Sequence, residues 1–552
     1  MAVVSHPHRP GCRDVEEQMQ FNLADLFEAV ADAVPDRIAV VYGDRRLTYG
    51  ELEARANRCA HALASLGIGR DDHVGLYLRS CPEFLEAMLG CYKLRAVPIN
   101  LNDRYVAAEV VPVAGDADLR GVVMGGGLPA DPSELRTPDR WVVVVGADYE
   151  QRMEASSPAR DFEARSGDDR YILYTGGTTG RPKGVVWRQE DIFFTAIGGG
   201  NPGGPPLEEP EQLVPAVLAA PNQRIGAFID ADDPGPGEFV ALSLGPLAHA
   251  SGQWLALGTL LGAGTFVIYD ALSMDMTHVL GLVERERIGM LTLVGDATAR
   301  PLLDELLENP ERWDTSSVRL LGSGGSILSG EVKDGLLAAM PSVAAVLEAI
   351  GSSESPSQAV ALTTRDAPPS RSLTFAPKAE TIVVNDVLTP IAPGSGAVGR
   401  LATRGRAPLG YYKDPDASAR TFVVIDGERW TLPGDMASVD ADGTIHLHGR
   451  GSLCINTGGE KVYPEEVEAV LKQHAAVFDA LVVGVPDPRW GERVAAVVQP
   501  VAGVETPTLE ALDAHCRATV AGYKVPRLLR VVDEVRRNPA GKADYPWARS
   551  LF

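Results

Sequence analysis

Cysteine is scarce: six stand in 552 residues, Cys12, Cys59, Cys81, Cys91, Cys454 and Cys516, and no two form a C-x-x-C pair. That scatter excludes a disulfide framework and a cysteine-based zinc site. No apolar run approaches the roughly 20 residues that cross a bilayer, so no membrane span is expected. Residues 1–13 carry charge and prolines but no apolar stretch ending in a small-residue cleavage site. A secretory leader is not read there, and the cytoplasm is the expected location. Positive charge is also short, with 51 Lys and Arg against 74 Asp and Glu, a formal net charge of −23. Such a field repels a phosphate backbone, which argues against a nucleic-acid partner and leaves any anionic ligand to local dipoles and cations.

What is present is soluble globular composition, 45% hydrophobic and 23% charged, in a chain too long for one ordinary core. A large N-terminal body and a smaller second unit are expected. In residues 38–67, Thr48-Tyr49-Gly50-Glu51 reads as a capping box opening a helix. Leu52, Ala56, Cys59, Leu63 and Leu66 fall on one face of it, and Gly67 suits the stop. Short β-branched runs such as residues 141–145 alternate with helical stretches, the pattern of α/β layers. Residues 198–237, rich in Gly, Pro and acids, read as a long surface loop or lid. Residues 381–448 read as a β-rich subdomain with hairpin turns at Asp426-Gly427 and Asp442-Gly443. The main boundary is expected at 450/451, before a compact C-terminal α/β unit whose first helix starts at Pro464, with strands at 480–485 and 494–498. No internal repeats are evident.

The apolar run Tyr171-Ile172-Leu173-Tyr174 feeds directly into Thr175-Gly176-Gly177-Thr178-Thr179-Gly180-Arg181-Pro182-Lys183-Gly184. Glycines let backbone N–H groups approach phosphate oxygens, threonine hydroxyls add donors and Lys183 adds charge. It is not a Walker A loop, which needs G-x-x-x-x-G-K-[ST]. In this form the loop resembles the phosphate loop of the adenylate-forming superfamily of acyl-CoA synthetases, luciferases and peptide-synthetase adenylation domains.

The resemblance extends over most of the chain and implies a role for each further station. Ile350-Gly351-Ser352-Ser353-Glu354 resembles the station whose acid holds Mg2+ on the ATP phosphates, making Glu354 and Thr175 the implied metal ligands. Gly322-Ser323-Gly324-Gly325-Ser326 resembles the turn that carries adenine, which implies contacts at Gly324 and Gly325. Asp435, in Trp430-Thr431-Leu432-Pro433-Gly434-Asp435, takes the ribose hydroxyls; Arg450 joins it there, and Ser452 stands at the hinge. Residues 456–468 are similar to the acyl-CoA synthetase glycine loop, which implies CoA as acceptor, with Gly458, Gly459 and Glu460 at the thiol tunnel. Asn538-Pro539-Ala540-Gly541-Lys542 matches the catalytic-lysine motif, and Lys542 would neutralise charge growing at the α-phosphate. His249 and Gly252, in Pro246-Leu247-Ala248-His249-Ala250-Ser251-Gly252, border the implied acyl pocket.

The implied enzyme is an acid:CoA ligase that uses ATP, Mg2+ and coenzyme A. Residues 186–193 and 454–461 resemble the actinobacterial branch that activates steroid side-chain acids, so a bulky steroid, terpenoid or long-chain acid is the expected substrate. Four positions depart from the pattern: Gly176 for a hydroxyl residue, Ile350 for an adenine-stacking aromatic, Ser353 for Thr and Ser452 for Asp or Lys. They keep two further readings open, an enzyme limited to thioester formation and a non-catalytic acyl or nucleotide sensor. A homodimer, and a separate carrier protein as acceptor, also stay open.

Overall fold

The computed structural model describes residues 19–176, 182–199, 205–219, 239–324, 328, 330–365, 374–376, 380–450, 455–462, 464–536 and 544–552. Thr48 caps the helix Tyr49–Ser65 as expected, accepting from the Glu51 amide at 3.1 Å while Glu51 accepts from the Thr48 amide at 2.8 Å. Leu52, Ala56, Cys59 and Leu63 are buried, and Gly67 follows the helix at φ +82°, the left-handed stop that glycine adopts freely.

Two large sheets build the N-terminal part, with helices between and around them. One has seven strands, in the order Gly410–Tyr411, Pro182–Arg188, Arg170–Gly176, Val97–Leu101, His73–Tyr77, Leu119–Met124 and Trp141–Val144. Val97–Leu101 and His73–Tyr77 pair in parallel and are buried along their whole length, as strands covered on both faces must be. The other has eight strands, with Ala345–Ile350, Leu320–Gly324, Met290–Leu293 and Val240–Ser243 parallel and adjacent. The helices Leu23–Ala33, Tyr49–Ser65, Pro82–Lys93 and Ala250–Leu261 contribute to one apolar core with residues of both sheets.

The β-rich part forms a third sheet from Thr381–Val384, Gly399–Arg404, Phe422–Ile425, Glu428–Thr431, Asp435–Val439 and Ile445–Arg450, joined by Thr374–Phe375. Asp426 and Gly427 stand at φ +52° and +81°, the primed turn that strand twist requires. Gly410–Tyr411 leaves this part to pair with Pro182–Arg188, which carries Tyr411 beside the phosphate-loop strands. A fourth sheet holds Ile455–Thr457, Glu460–Val462, Val477–Asp487, Gly491–Pro500 and Leu528–Val531, flanked by the helix Pro464–Leu471.

Residues 198–237 are not simply a loop. Where described, they include the turn Pro210–Gln212 and the helix Leu213–Ala219, and Leu207, Leu213 and Val217 are buried in the main core. The apolar spacing of Leu213 and Val217, one helical turn, outweighs the surrounding Gly and Pro. Among the described residues no helix is long and apolar enough to cross a membrane.

Candidate active site

The strand Arg170–Gly176 and its antiparallel partner Pro182–Arg188 set Thr175 opposite Lys183 and Gly176 opposite Pro182. Gly177, Thr178, Thr179 and Gly180, between them, lie outside the described residues. The strand's height is fixed by Asn100, whose Oδ1 accepts from the Tyr174 amide at 2.8 Å. Its Nδ2 donates to the Tyr174 carbonyl at 2.9 Å and to the Ala248 carbonyl at 2.7 Å. One buried amide therefore ties the phosphate-loop strand to the residue before His249. Lys183 Nζ lies 3.0 Å from Asp414 Oδ2 and 5.2 Å from the Tyr411 ring centroid.

Glu354 faces the same cavity as Thr175 and Lys183, and its Oε1 accepts from the Tyr411 hydroxyl at 2.7 Å. The loop before it is held tightly: Trp187 Nε1 donates to the Ser353 carbonyl at 2.9 Å, and the Ser352 amide to the Ser355 carbonyl at 2.9 Å. Gly351, Ser352 and Ser353 line the cavity. A Cβ on Gly351 would stand 2.1 Å from the Pro356 carbonyl oxygen, so the loop itself requires glycine there. Ile350, placed by resemblance at the adenine-stacking position, packs instead with Phe375, Leu401, Ala437 and Ile445 in the β-rich core. An apolar side chain there is needed for packing.

Asp435 is buried and its Oδ2 accepts from Gln358 Nε2 at 2.8 Å; in register it stands opposite Arg450. Pro433, two residues before it, lines the cavity. Gly325, Ser452 and Lys542, and the side chain of Arg450, lie outside the described set.

The cavity measures about 1360 Å³. Its floor is one face of the eight-stranded sheet, where Met290 and Thr292, Gly322 and Gly324, and Leu347 and Ala349 recur at every second residue. The alternate positions Leu291, Leu321 and Val346 point into the core on the other side. Gly324, read as part of an adenine turn, thus ends a strand. Ile197, Ser251, Trp254 and Leu255 form a wall. Gly252 is a packing residue: a Cβ on it would come within 2.3 Å of the Pro246 carbonyl oxygen.

The C-terminal part closes the other end. The hairpin of Ile455–Thr457 and Glu460–Val462 turns at Gly458 and Gly459, with φ +60° and +81°. A Cβ on Gly459 would lie 2.2 Å from Val294 Cγ1, so only glycine permits this approach to the N-terminal part. Glu460 is buried at the cavity: Oε1 is 3.4 Å from both His249 Nε2 and Arg104 Nη1, and Oε2 accepts from Asn102 Nδ2 at 3.4 Å. Burial alone would lower the His249 pKa, but the Glu460 carboxylate outweighs it and holds the imidazole above its ordinary value. Burial would raise the Glu460 value, and His249 and Arg104 together hold it well below the usual carboxylate range.

Asn100, Asn102 and Arg104 were not singled out from sequence. Their signal is a set of polar residues that breaks the apolar run Val97–Leu101 and its exit.

A family model described as AMP-binding enzyme matches residues 27–412, and one described as AMP-binding enzyme C-terminal domain matches residues 466–542. A medium/long-chain-fatty-acid–CoA/3-oxocholest-4-en-26-oate–CoA ligase of Mycolicibacterium smegmatis is 42% identical, with 97% of each chain covered. The 3-oxocholest-4-en-26-oate–CoA ligase of Rhodococcus rhodochrous is 41% identical, with 96% of each covered. Among solved structures, an o-succinylbenzoate CoA synthetase from Bacillus subtilis shares the fold at a TM-score of 0.77 and 22% identity, over 95% of this chain and 98% of that one. An amide bond synthetase from Marinactinospora thermotolerans superposes at a TM-score of 0.75 and 25% identity, over 96% of this chain and 99% of that one. By sequence along nearly its whole length, and by fold, this chain belongs to the AMP-binding enzyme family.

Proposed function

We propose that the protein is an acid:CoA ligase that joins a bulky steroid, terpenoid or long-chain carboxylic acid to CoA through an acyl adenylate made from MgATP. The observation that carries this is one continuous cavity lined by Thr175, Lys183 and Glu354 and also by Gly458, Gly459 and Glu460. At about 1360 Å³ it exceeds the ordinary range of single small-ligand sites, roughly 300–1,000 Å³, and suits an acyl body together with a nucleotide or thiol arm. The names of the 41–42% identical relatives support the choice of acid.

In the first step an acid oxygen bonds to the α-phosphorus and pyrophosphate leaves. Thr175 and Lys183 contact phosphate oxygens, with Lys183 exchanging Asp414 for the nucleotide, while residues 177–180 supply backbone and hydroxyl donors. Asp435 and Arg450 hold the ribose, and Gly324, Gly325 and Gly351–Ser353 flank the base. Glu354 and the Thr175 hydroxyl fit a hard divalent cation, whose charge would offset that of the phosphates. Among the described residues no group of three or more His, Cys, Asp or Glu side chains could cage a metal alone, which suits an ion brought in on ATP. Lys542 places positive charge at the reacting carboxylate and phosphate. In the second step the thiol sulfur bonds to the acyl carbon, its proton departs and AMP leaves. Here the domain boundary at 450/451 and the hinge at Ser452 let the unit 451–552 turn, so that the Gly458–Glu460 hairpin replaces Lys542 at the cavity. The docked hairpin corresponds to this second step. No membrane-crossing helix is found among the described residues, and we place the enzyme in the cytoplasm.

The test separates the two steps. Lys542→Ala should lower acid-dependent pyrophosphate release about 100-fold or more, while thioester formation from supplied acyl adenylate and CoA changes by less than about 3-fold. Equal loss in both would overturn the alternation.

A further inference from the structure

Lys524 is 5% exposed, yet its ammonium touches two carboxylates from different parts of the chain: Glu109 Oε1 at 2.6 Å and Glu466 Oε1 at 2.8 Å. Glu466 lies on the helix Pro464–Leu471, in the same C-terminal unit as Lys524. Glu109 lies in the first turn of the helix Ala107–Asp116, on the N-terminal side of the cavity, and its Oε2 also accepts from the Val106 amide at 3.2 Å. The rings of Tyr105 and Tyr523, one from each side, stand 5.1 and 5.7 Å from the Lys524 ammonium. The same N-terminal segment holds Glu460 through Asn102 and Arg104, so residues 102–109 grip the C-terminal unit at two points.

We propose that Lys524 and Glu109 form a positioning latch, which holds the C-terminal unit where the Gly458–Glu460 hairpin reaches the cavity and is released when that unit turns away. This rests on the two-step reading above. The geometry makes the latch reversible. On turning, Lys524 keeps Glu466 as a partner, and Glu109 loses only one ion pair while its carboxylate returns to water. The cost of opening is thus far below that of leaving a buried charge unpaired. The latch acts only in the arrangement that brings Glu109 and Lys524 together, so it favours thioester formation without contributing to adenylation. Neither Glu109 nor Lys524 makes or breaks a bond in the reaction.

The experiment compares wild type with Glu109→Ala and Glu109→Asp, timing each half-reaction separately. Thioester formation from supplied adenylate and CoA should fall about 10-fold in Glu109→Ala and be largely restored in Glu109→Asp, with acid-dependent pyrophosphate release within about 3-fold of wild type in both. A second readout needs no catalysis. Spin labels on cysteines placed at the exposed positions Ser133 and Glu510 report the separation of the two parts in substrate-free protein. Glu109→Ala should broaden or shift the distance distribution found with Glu109 in place. Equal loss in both half-reactions, or rates and distances indistinguishable from wild type, would overturn the latch. Wild-type protein that forms no thioester from any adenylate would instead overturn the ligase reading, while the distance comparison would still decide the contact.

Discussion

At His249, burial and charge pull in opposite directions, and the Glu460 carboxylate wins. Removing that charge while keeping the shape, with Glu460→Gln, should lower the His249 titration midpoint, because burial and Arg104 then oppose only the weaker pull of Asp103. An NMR titration of the His249 ring protons reads this directly; a midpoint unmoved by the substitution would contradict the assignment. The sign of the linked stability follows. A raised folded-state histidine value gives a contribution fully present below the unfolded value and lost as pH rises through the folded one. The depressed Glu460 value gives one present above the unfolded carboxylate value and lost as pH falls through the folded one. The hairpin is therefore held best between the unfolded carboxylate value and the unfolded histidine value, and its hold weakens as pH moves from that window toward either folded-state value. Residue type was legible in sequence here, but the partner was not, since His249 and Glu460 are 211 positions apart (460 − 249). Glycines show the same limit. The motif marked Gly351 for the nucleotide and Gly252 for the acyl pocket, whereas what the fold shows at both is collision of any Cβ with the carbonyl oxygens of Pro356 and Pro246, which no one-dimensional pattern displays.

Elements whose signals are local were legible: the Thr48 capping box, the Asp426-Gly427 hairpin and the apolar strand before the phosphate loop all form as read. Elements decided by distant packing were not. The helix Leu213–Ala219 arises where composition suggested only loop, because Leu213 and Val217 find the main core. Ile350 likewise answers to the β-rich core, where it packs with Phe375, Leu401, Ala437 and Ile445, a demand that the motif does not display. The link between elements that matters most is Asn100, which bonds both backbone groups of Tyr174 and the carbonyl of Ala248. Asn100→Leu, similar in size but without those bonds, should cost on the order of 2–4 kcal/mol in urea unfolding, since it strands buried backbone groups. A change below about 0.5 kcal/mol would show that the strand Arg170–Gly176 does not depend on it.

Over the whole molecule, one face of the eight-stranded sheet supplies the floor and the helix Ala250–Leu261 part of the wall, and the ligand space runs along that face and past the carboxyl ends of Val240–Ser243 and Met290–Leu293, where Gly245 and Val294 line it. Among the described residues, the C-terminal unit completes that space with the Gly458–Glu460 hairpin and with Trp490, Tyr523 and Lys524. Domain order and chemistry were legible because motifs occur in a fixed succession. The placement of one domain on the other was not, because Asn102, Arg104, Glu109 and Lys524 carry it through contacts across hundreds of residues. The most direct test of the account incubates the protein with MgATP, CoA and either a steroid side-chain acid or a long-chain fatty acid, and identifies the products by mass. The account predicts the acyl-CoA thioester, AMP and pyrophosphate in equal amounts; pyrophosphate and AMP without thioester, or no reaction with any bulky acid, would contradict it.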